Sequence, residues 1–294
     1  MPKLAAFPKC FMNELCEART MTIFQWIELA SGLGLDGLEM YPGFFTNYQR
    51  PYLNSVKSAL QSKGFSVPMF CVSPDFTHPD ATIREKEIEK YLAILDVVAF
   101  FGGETCRILS GQAHPGVSRA QGVAWVLECF HKVLHEAAAR KITLVMENHY
   151  KDNFWNYPEF AQPHDVFIEI VNQVNSPWFG VNYDPSNAFL AGEDPLELLE
   201  AVKEKVVTMH ASDRYLKDGG ALADIKKQDG SKGYSDLMTH GVIGKGLNDY
   251  DAIFRTLKSV GFDGWISIED GMNGMEELKE SVRFLRGKFA EYWR

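Results

Sequence analysis

The 294-residue sequence predicts an α/β protein with the (β/α)8 TIM-barrel fold, arranged as a single domain over residues 1–294. Short apolar runs, typical of buried parallel strands, alternate with amphipathic segments along the whole chain. The length suits one α/β barrel. No proline- and serine-rich linker and no low-complexity segment divides the sequence. Together these observations favour one barrel over two smaller domains.

The alternation of strands and helices can be followed element by element. The predicted strands cover residues 4–7, 37–40, 67–72, 105–109, 143–147, 179–184, 206–210 and 265–269. Ile23, Ile27 and Ala30, spaced four and three positions apart, predict the first helix. Further helices are predicted at 83–99, 117–139, 166–174, 196–202, 250–260 and 278–289. Eight strands that alternate with helices are the pattern of a (β/α)8 barrel.

Two predicted loops are longer than a minimal barrel needs. Residues 148–164 are rich in aromatic side chains, and residues 211–248 form a polar, glycine-rich stretch. Both follow a strand, so they are expected at the carboxyl-terminal face, where loops of this fold build active sites. A connection as long as 211–248 is predicted to be a lid or an interface.

Composition excludes some partners and indicates a compartment. The formal net charge of −9 argues against nucleic acid or an acidic membrane as a main partner. The five cysteines form no CxxC pair and are odd in number, which suits free thiols in a reducing compartment. The apolar run at the start of the sequence is too short for a signal peptide, and no later apolar run is long enough to span a bilayer. We therefore predict a cytoplasmic protein.

Four polar residues stand at the ends of predicted strands. They are Glu147, Asp184, His210 and Glu269. Because barrel geometry gathers the carboxyl ends of its strands, these side chains are expected to converge on one point. Two glutamates, an aspartate and a histidine suit a divalent cation. Manganese is expected first, with magnesium, cobalt or zinc as alternatives.

The motifs around these residues resemble those of the xylose-isomerase-like superfamily, in its sugar phosphate isomerase/epimerase group. The similar segments are residues 146–149, 182–187, 209–214, 241–246 and 268–270, in the same order. The resemblance implies that Glu147, Asp184, His210 and Glu269 bind one divalent cation. In the epimerases of this group the two glutamates also act as an acid/base pair on opposite faces of the substrate. Relatives include ketose 3-epimerases, hydroxypyruvate isomerases, inosose isomerases and dehydratases, and C-glycoside-cleaving enzymes.

One position departs from the ketose epimerases. Those proteins carry a histidine three residues after the aspartate that ends the sixth strand, and this chain has Asn187 there. His149 lies two residues after Glu147, so extended geometry places both side chains on the same face. His149 is therefore a candidate catalytic base. Alternatively, it orients Glu147.

Several further residues are candidates for substrate binding, each with a structural alternative. Arg214 is expected to hold a substrate oxygen or to pair with Asp213 or Asp270. Trp155 is expected in a stacking wall or in a subunit contact. The complete set of substrate-binding candidates is Glu39, Tyr41, His114, Trp155, Asn187 and Arg214.

The function predicted from these residues is that of a metal-dependent isomerase or epimerase of a sugar or polyol derivative. It would remove a proton next to a carbonyl and pass through an enediolate. The alternative is a lyase that uses the same enediolate, such as an inosose-type dehydratase or a C-glycoside-cleaving subunit. More distant alternatives are a nuclease like endonuclease IV and a non-catalytic binding protein. The resemblance implies a homo-dimer or tetramer, or a second small subunit for a C-glycoside lyase.

Overall fold

Eight parallel strands form a nearly closed barrel in the computed structural model, which describes residues 1–225, 233–269 and 273–293. This confirms the predicted (β/α)8 TIM barrel. The barrel strands are β1 Lys3–Ala6, β2 Gly37–Leu38, β3 Met69–Phe70, β4 Thr105–Ile108, β5 Thr143–Glu147, β6 Phe179–Tyr183, β7 Val206–Ala211 and β10 Trp265–Ile268. The order of neighbouring strands is β2-β1-β10-β7-β6-β5-β4-β3.

The remaining gap between β2 and β3 is bridged by single residues. Met40 forms a parallel bridge with Phe70, its backbone N–H donates to the carbonyl of Met69 (3.0 Å), and its own carbonyl accepts from Cys71 (2.8 Å). The two strands are only two residues long because few ladder bonds form here. The predicted strands at 37–40 and 67–72 therefore have the correct positions, but the predicted ranges are longer than the strands in the structure.

Helices cover the outside of the barrel and agree with the predicted ones within a few residues, with three additions. Their bounds are α1 Ile23–Ala30, α2 Arg50–Ser62, α3 Ala81–Phe101, α4 Arg119–Ala139, α5 His164–Gln173, α6 Pro185–Leu190, α7 Pro195–Val202, α8 Leu222–Ile225, α9 Tyr250–Ser259 and α10 Met275–Tyr292. The prediction left out α2, although its buried Leu53, Val56 and Leu60 have helical spacing. It also left out the six-residue α6 and the four-residue α8, which are too short for a periodic signal.

The two long loops have structure of their own. In the 211–248 stretch, β8 (Arg214–Leu216) pairs antiparallel with β9 (Met238–His240), while residues 226–232 lie outside the described part of the chain. In the 148–164 loop, Glu159 forms an antiparallel bridge with Gln112, and its backbone N–H donates to the carbonyl of Tyr150 (2.8 Å). Both loops lie at the carboxyl ends of the barrel strands.

One continuous apolar core lies between the barrel and its helices, and the largest fully buried side chain is Trp26. None of the helices in the described ranges is long and apolar enough to cross a membrane. All five cysteines are free thiols, in agreement with the prediction.

Candidate active site

The four predicted ligands meet at the carboxyl end of the barrel. Glu147 is the last residue of β5, Asp184 and Glu269 directly follow β6 and β10, and His210 is the penultimate residue of β7. One ligand atom from each lies within 4.8 Å of the others. All four residues are buried. The predicted convergence of these strand ends is therefore present in the structure.

His210 is held between carboxylates on both sides of its ring. Nδ1 lies 3.1 Å from Glu147 Oε1 and 3.4 Å from Glu269 Oε2, so it faces the other ligands. Nε2 lies 2.9 Å from Oε2 of Glu39 on the opposite side. A histidine that binds metal through one nitrogen commonly donates from the other to a carboxylate, which fixes the tautomer. Glu39 has that position relative to His210.

The predicted candidate Glu39 therefore lies beneath the ligand cluster, with 1% of its surface exposed. Its carboxylate also accepts from the Cys71 thiol at 3.4 Å. Burial and the nearby Glu39 charge raise the pKa of Cys71 to about 12, so the thiol stays protonated. Glu39, Cys71 and His210 thus form a second buried group of potential ligand atoms next to the four predicted ligands, with Glu39 on the Nε2 side of His210.

Only one of the two carboxylate oxygens of Asp184 accepts hydrogen bonds from the described residues, which leaves the other available to a cation. As the N-cap of α6, its Oδ1 accepts from the backbone N–H groups of Ser186 (2.9 Å) and Asn187 (3.1 Å), and from the Ser212 hydroxyl (2.7 Å). Its Oδ2 is buried and has no hydrogen-bond partner within the described chain. A buried carboxylate oxygen without a partner is costly, and a bound cation would satisfy it. The donor set therefore fits a divalent metal ion.

The charges of the cluster support the same fit. Burial would raise the pKa of Glu147, but the charges of His210 and Arg107 outweigh it and lower that pKa. Burial would likewise raise the pKa of Glu269, but Lys9 and His210 lower it well below its usual range. By contrast, burial together with the charges of Glu269 and Glu147 raises the pKa of Asp184. The site thus holds more negative charge than its own cations neutralise.

Arg107 links the cluster to the 148–164 loop. Its Nη1 forms a buried ion pair with Glu147 Oε2 at 2.8 Å, and its Nη2 donates to the Ser73 hydroxyl at 2.8 Å. Ser73 in turn donates to Asp152 at 2.7 Å. On the other side of Glu147, the Asn187 amide donates to Oε1 at 3.3 Å. Asn187 thus lies against a ligand and is buried.

A cavity of about 430 Å³ opens onto this cluster from the loop side. Of the ligands, Glu269 reaches its wall, and the predicted candidates His149 and Tyr41 line it as well. The rest of the lining consists mostly of aromatic and charged side chains, namely Phe7, Lys9, Met12, Arg107, Tyr150, Lys151, Asp152, Asn153, Phe154, Tyr234 and His240. A wall that mixes rings with charged groups suits a small polar molecule that also carries C–H faces.

Besides Glu39 and Asn187, three more predicted candidates lie outside the lining of this cavity. Trp155 lines a neighbouring apolar groove of about 560 Å³, which shares Tyr41, Asp152 and Phe154 with the cavity. His114 is bound through Nε2 to Asp75 at 2.7 Å. Arg214 is 1% exposed and contacts His240 through its guanidinium. Asp270, the predicted alternative partner of Arg214, lies outside the described residues.

Asp213, the other predicted partner of Arg214, organises the glycine-containing segment 241–246 instead. Its carboxylate accepts from the backbone N–H groups of Gly244 (3.0 Å), Gly246 (3.0 Å) and Asn248 (3.1 Å). Gly244 has φ +82°, a conformation that favours glycine. The glycines thus allow the backbone to turn around Asp213 beside the site.

Lys9 and His240 line the cavity and were not predicted. Lys9 Nζ lies 3.6 Å from Glu269 Oε1. Burial would lower the pKa of Lys9, but the Glu269 carboxylate raises it. Burial and the charges of Lys9 and Arg214 lower the pKa of His240 to about 2, so that imidazole is neutral. Lys9 follows the first predicted strand by two residues, which is a signal for it, whereas nothing in the 211–248 stretch distinguishes His240.

The chain belongs to the family of xylose isomerase-like TIM barrels, whose model matches residues 27–288. Two curated relatives match shorter segments. An uncharacterised protein of Methanocaldococcus jannaschii is 30% identical over 135 residues, 43% of this chain and 39% of that protein. The 3-oxo-isoapionate decarboxylase of Pectobacterium atrosepticum is 30% identical over 100 residues, 34% of this chain and 32% of that protein. The matched segments thus span about a third and about two fifths of the length of these relatives.

Solved structures share the fold over nearly the whole chain. A D-tagatose 3-epimerase-like protein superimposes with a TM-score of 0.77 at 15% identity, covering 99% of this chain and 98% of its own. A probable 3-DHS dehydratase of Bacillus anthracis gives 0.72 at 17%, covering 97% and 98%. A third protein, whose structure contains a zinc atom, gives 0.70 at 15%, covering 99% and 97%. The neighbours thus include epimerase-like and dehydratase-like barrels.

Proposed function

We propose that this protein is a divalent-metal-dependent isomerase or epimerase of a sugar or polyol derivative, working by proton transfer next to a carbonyl. The observation that carries the proposal is the buried group of Glu147, Asp184, His210 and Glu269, with one ligand atom of each within 4.8 Å of the rest, beside a cavity of small-molecule size. The fold, shared with epimerase-like and dehydratase-like proteins, supports it.

The metal would be held by those four residues. Bound there, a divalent cation would stabilise the negative charge of an enediolate and so lower the free-energy barrier to removing the proton next to the carbonyl. Manganese is the first choice, and magnesium, cobalt and zinc suit the same oxygen and nitrogen ligands. Zinc is supported by the neighbour that contains it.

The chain's own residues supply the proton transfers. Glu269 and His149 both reach the cavity wall, and Glu147 lies behind them against Arg107. Because the pKa values of Glu147 and Glu269 are lowered, both carboxylates are ionised, which favours cation binding and makes each of them a weaker base than His149 would be. A base placed well contributes roughly 10²–10⁴-fold to the rate. Tyr41 and Tyr150 would cover apolar faces of the substrate.

A lyase is the second candidate, and a specific observation favours it. The residue three positions after Asp184 is Asn187, which donates to Glu147, while His149 lines the cavity. Compared with the ketose epimerases, a basic side chain is thus absent at position 187 and present at position 149. The enediolate formed by a base at this position would lose a leaving group from its β-carbon, giving a carbon–carbon double bond, instead of regaining a proton. The relative described as a decarboxylase also belongs to the lyase type of chemistry, since loss of carbon dioxide from a β-keto acid leaves an enolate, which is an enediolate when the same carbon carries a hydroxyl group.

Hydrogen exchange in D₂O separates these candidates. The metal-loaded protein is incubated with a panel of ketoses, inososes, 3-keto-glucosides and keto acids and followed by NMR. Deuterium at the carbon next to the carbonyl, with an epimer or isomer formed, supports the proposal. Loss of water, aglycone or carbon dioxide assigns the lyase. No exchange with any compound contradicts both, and cleavage of abasic DNA instead would assign the nuclease alternative.

Replacing the ligands provides the matching control. Glu147→Gln and Glu269→Gln should each abolish exchange and weaken metal binding, because a neutral amide neither accepts the proton nor neutralises the cation. A double variant that remains active and metal-loaded would contradict the proposed site. Asp194→Asn, at an exposed N-cap outside the site, should leave both activity and metal content unchanged.

We also propose a small carbohydrate as the partner and a cytoplasmic location, which five free thiols support. A homo-dimer or tetramer is proposed for an isomerase, and a second small subunit for a C-glycoside lyase. Light scattering on the purified chain measures the oligomer. A monomer that is fully active alone would contradict both assemblies.

A further inference from the structure

Two buried polar groups face each other on the wall of the cavity. His149 Nδ1 lies 3.8 Å from Glu159 Oε2, and neither atom has a hydrogen-bond partner among the residues that the structure describes. His149 is 7% exposed and Glu159 is 2% exposed. Since an unsatisfied buried polar group is costly, two of them in opposition call for a functional explanation.

Glu159 is fixed in one orientation by Ser110. Its Oε1 accepts from the Ser110 backbone N–H (2.8 Å) and from the Ser110 hydroxyl. The Ser110 hydroxyl oxygen accepts from the Ala161 backbone N–H (3.0 Å), so its own hydrogen is free to point to Glu159. With Oε1 held by two donors, Oε2 is directed at His149. The imidazole is itself stacked on Tyr150, with ring centroids 4.9 Å apart.

We propose that Glu159 is a positioning residue that acts through His149. In this arrangement Nδ1–H donates to Glu159 Oε2, and the unprotonated Nε2 is presented to the cavity, ready to accept a proton from the substrate. Shortening the 3.8 Å separation to a hydrogen bond of about 2.9 Å needs a shift of less than about 1 Å. This inference rests on the proposed function for its catalytic part, and its structural part can be tested without a substrate.

A purely structural role for Glu159 predicts something different. In that case the residue would only anchor the 148–164 loop to Ser110, and the state of His149 would not depend on it. Glu159→Gln distinguishes the two. Ser110 offers two donors, so the amide oxygen should face Ser110 and the amide NH₂ should face His149. Nδ1 would then have to accept, which moves the proton to Nε2 and reverses the tautomer while the loop stays anchored.

The first experiment reads the tautomer directly by NMR of ¹⁵N-histidine-labelled protein with Mg²⁺, since paramagnetic manganese would broaden the signals. The His149→Ala spectrum identifies the His149 signals. We expect Nδ1 protonated and Nε2 unprotonated in the parent protein, and the reverse in Glu159→Gln. A parent protein with Nε2 protonated, or the same His149 tautomer in both proteins, overturns the proposal.

The chain offers a matched control in a second histidine–glutamate pair. His164 Nδ1 lies 3.1 Å from Glu193 Oε2, and neither residue lines the cavity. Glu193→Gln should change the His164 signals and leave those of His149 as they are. Altered His149 signals in this variant would mean that the readout responds to general loosening of the fold, and would overturn the assignment to Glu159.

The second experiment follows the deuterium-exchange rate in a double-variant cycle. Glu159→Gln should slow exchange by about 10²-fold with metal content unchanged, because a well-placed base contributes about 10²–10⁴-fold. In the His149→Ala background the same change should have no further effect. An equal loss in both backgrounds overturns the proposal. If no compound exchanges at all, the proposed function fails, and the NMR result still decides the role of Glu159.

Discussion

His210 illustrates how single side chains divide their hydrogen-bonding atoms in this site. Its Nδ1 faces Glu147 and Glu269, and its Nε2 contacts Glu39 at 2.9 Å. The sequence predicted Glu39 at the cavity because it ends a predicted strand. Glu39 does directly follow β2, but its side chain lies beneath the ligand cluster and outside the cavity lining. Only the fold shows that Glu39 and His210, 171 positions apart, are partners.

Replacing Glu39 by glutamine should therefore weaken metal binding without removing a ligand. The neutral amide accepts less strongly from Nε2–H, so it orients and polarises His210 less, and losses of about 10–100-fold in affinity are typical. Calorimetric titration with Mn²⁺ measures the change. Glu193→Gln, in the pair outside the site, should bind metal like the parent protein. An unchanged affinity for Glu39→Gln would show that Glu39 does not support the ligand.

Metal binding should also depend on pH with a defined sign. Burial lowers the pKa of His210, but the charges of Glu39, Glu147 and Glu269 outweigh it and raise that pKa well above its usual range. Burial and the charges of Glu269 and Glu147 raise the pKa of Asp184. The metal-free site thus retains protons that the ligands must lose on binding. Affinity should rise with pH until these groups are deprotonated, and fall as pH decreases.

Calorimetry in buffers of different ionisation enthalpy measures this proton release directly. Near neutral pH, the observed heat of Mn²⁺ binding should vary with the buffer, with a slope that corresponds to protons released. A heat that is the same in every buffer, or an affinity that does not change between about pH 6 and 8, would contradict protonated ligands in the metal-free site.

Among secondary-structure elements, the strands were the most predictable. Buried parallel strands are short apolar runs, so β5, β6, β7 and β10 were located correctly together with the ligands at their ends. The loops were less predictable because their contacts join distant segments. Lys9 meets Glu269 across almost the entire chain, and Glu159 is fixed by Ser110 of the preceding loop. No local pattern in the sequence encodes such pairings.

The loop around Asp213 gives a stability prediction at this scale. A Cβ added to Gly246 would collide with the Asp213 carboxylate and the Arg214 carbonyl, whereas one added to Gly287 in α10 meets nothing within 4 Å. Gly246→Ala should therefore lower the free energy of unfolding by about 1–3 kcal/mol. Gly287→Ala should raise it by about 0.5–1 kcal/mol, since alanine is the better helix former.

Urea denaturation of the two variants in the presence of a chelator measures both effects without a contribution from metal. The substitution is the same in each case, so opposite signs isolate the backbone environment as the cause. Equal stability of Gly246→Ala and the parent protein would mean that the segment 241–246 can move away from Asp213 at no cost.

At the scale of the whole molecule, barrel closure concentrates negative charge in one place. Four carboxylates (Glu39, Glu147, Asp184 and Glu269) contact one another or His210, and two cations, Lys9 and Arg107, form ion pairs with them. With His210 neutral and Asp184 ionised, the protonation state that metal binding requires, four minus two leaves two uncompensated negative charges, which equals the charge of one divalent cation. The fold is thus expected to be more stable with the metal than without it.

Thermal unfolding of Asp184→Asn tests this link between metal and fold. Asparagine caps a helix about as well as aspartate, so α6 should keep its N-cap while the site loses one charged ligand. At a free concentration of about 100 times the dissociation constant, Mn²⁺ should stabilise the parent protein by about 2.7 kcal/mol. For a chain of this size, that raises the melting temperature by several degrees. In Asp184→Asn most of that shift should disappear. The metal-free variant should melt at or above the melting temperature of the parent protein, because the repulsion between Asp184 and the other carboxylates is relieved.

Asp194→Asn, which changes the exposed N-cap of α7, should retain the full metal-induced shift. Equal shifts in Asp184→Asn and the parent protein would mean that stabilising metal binds elsewhere.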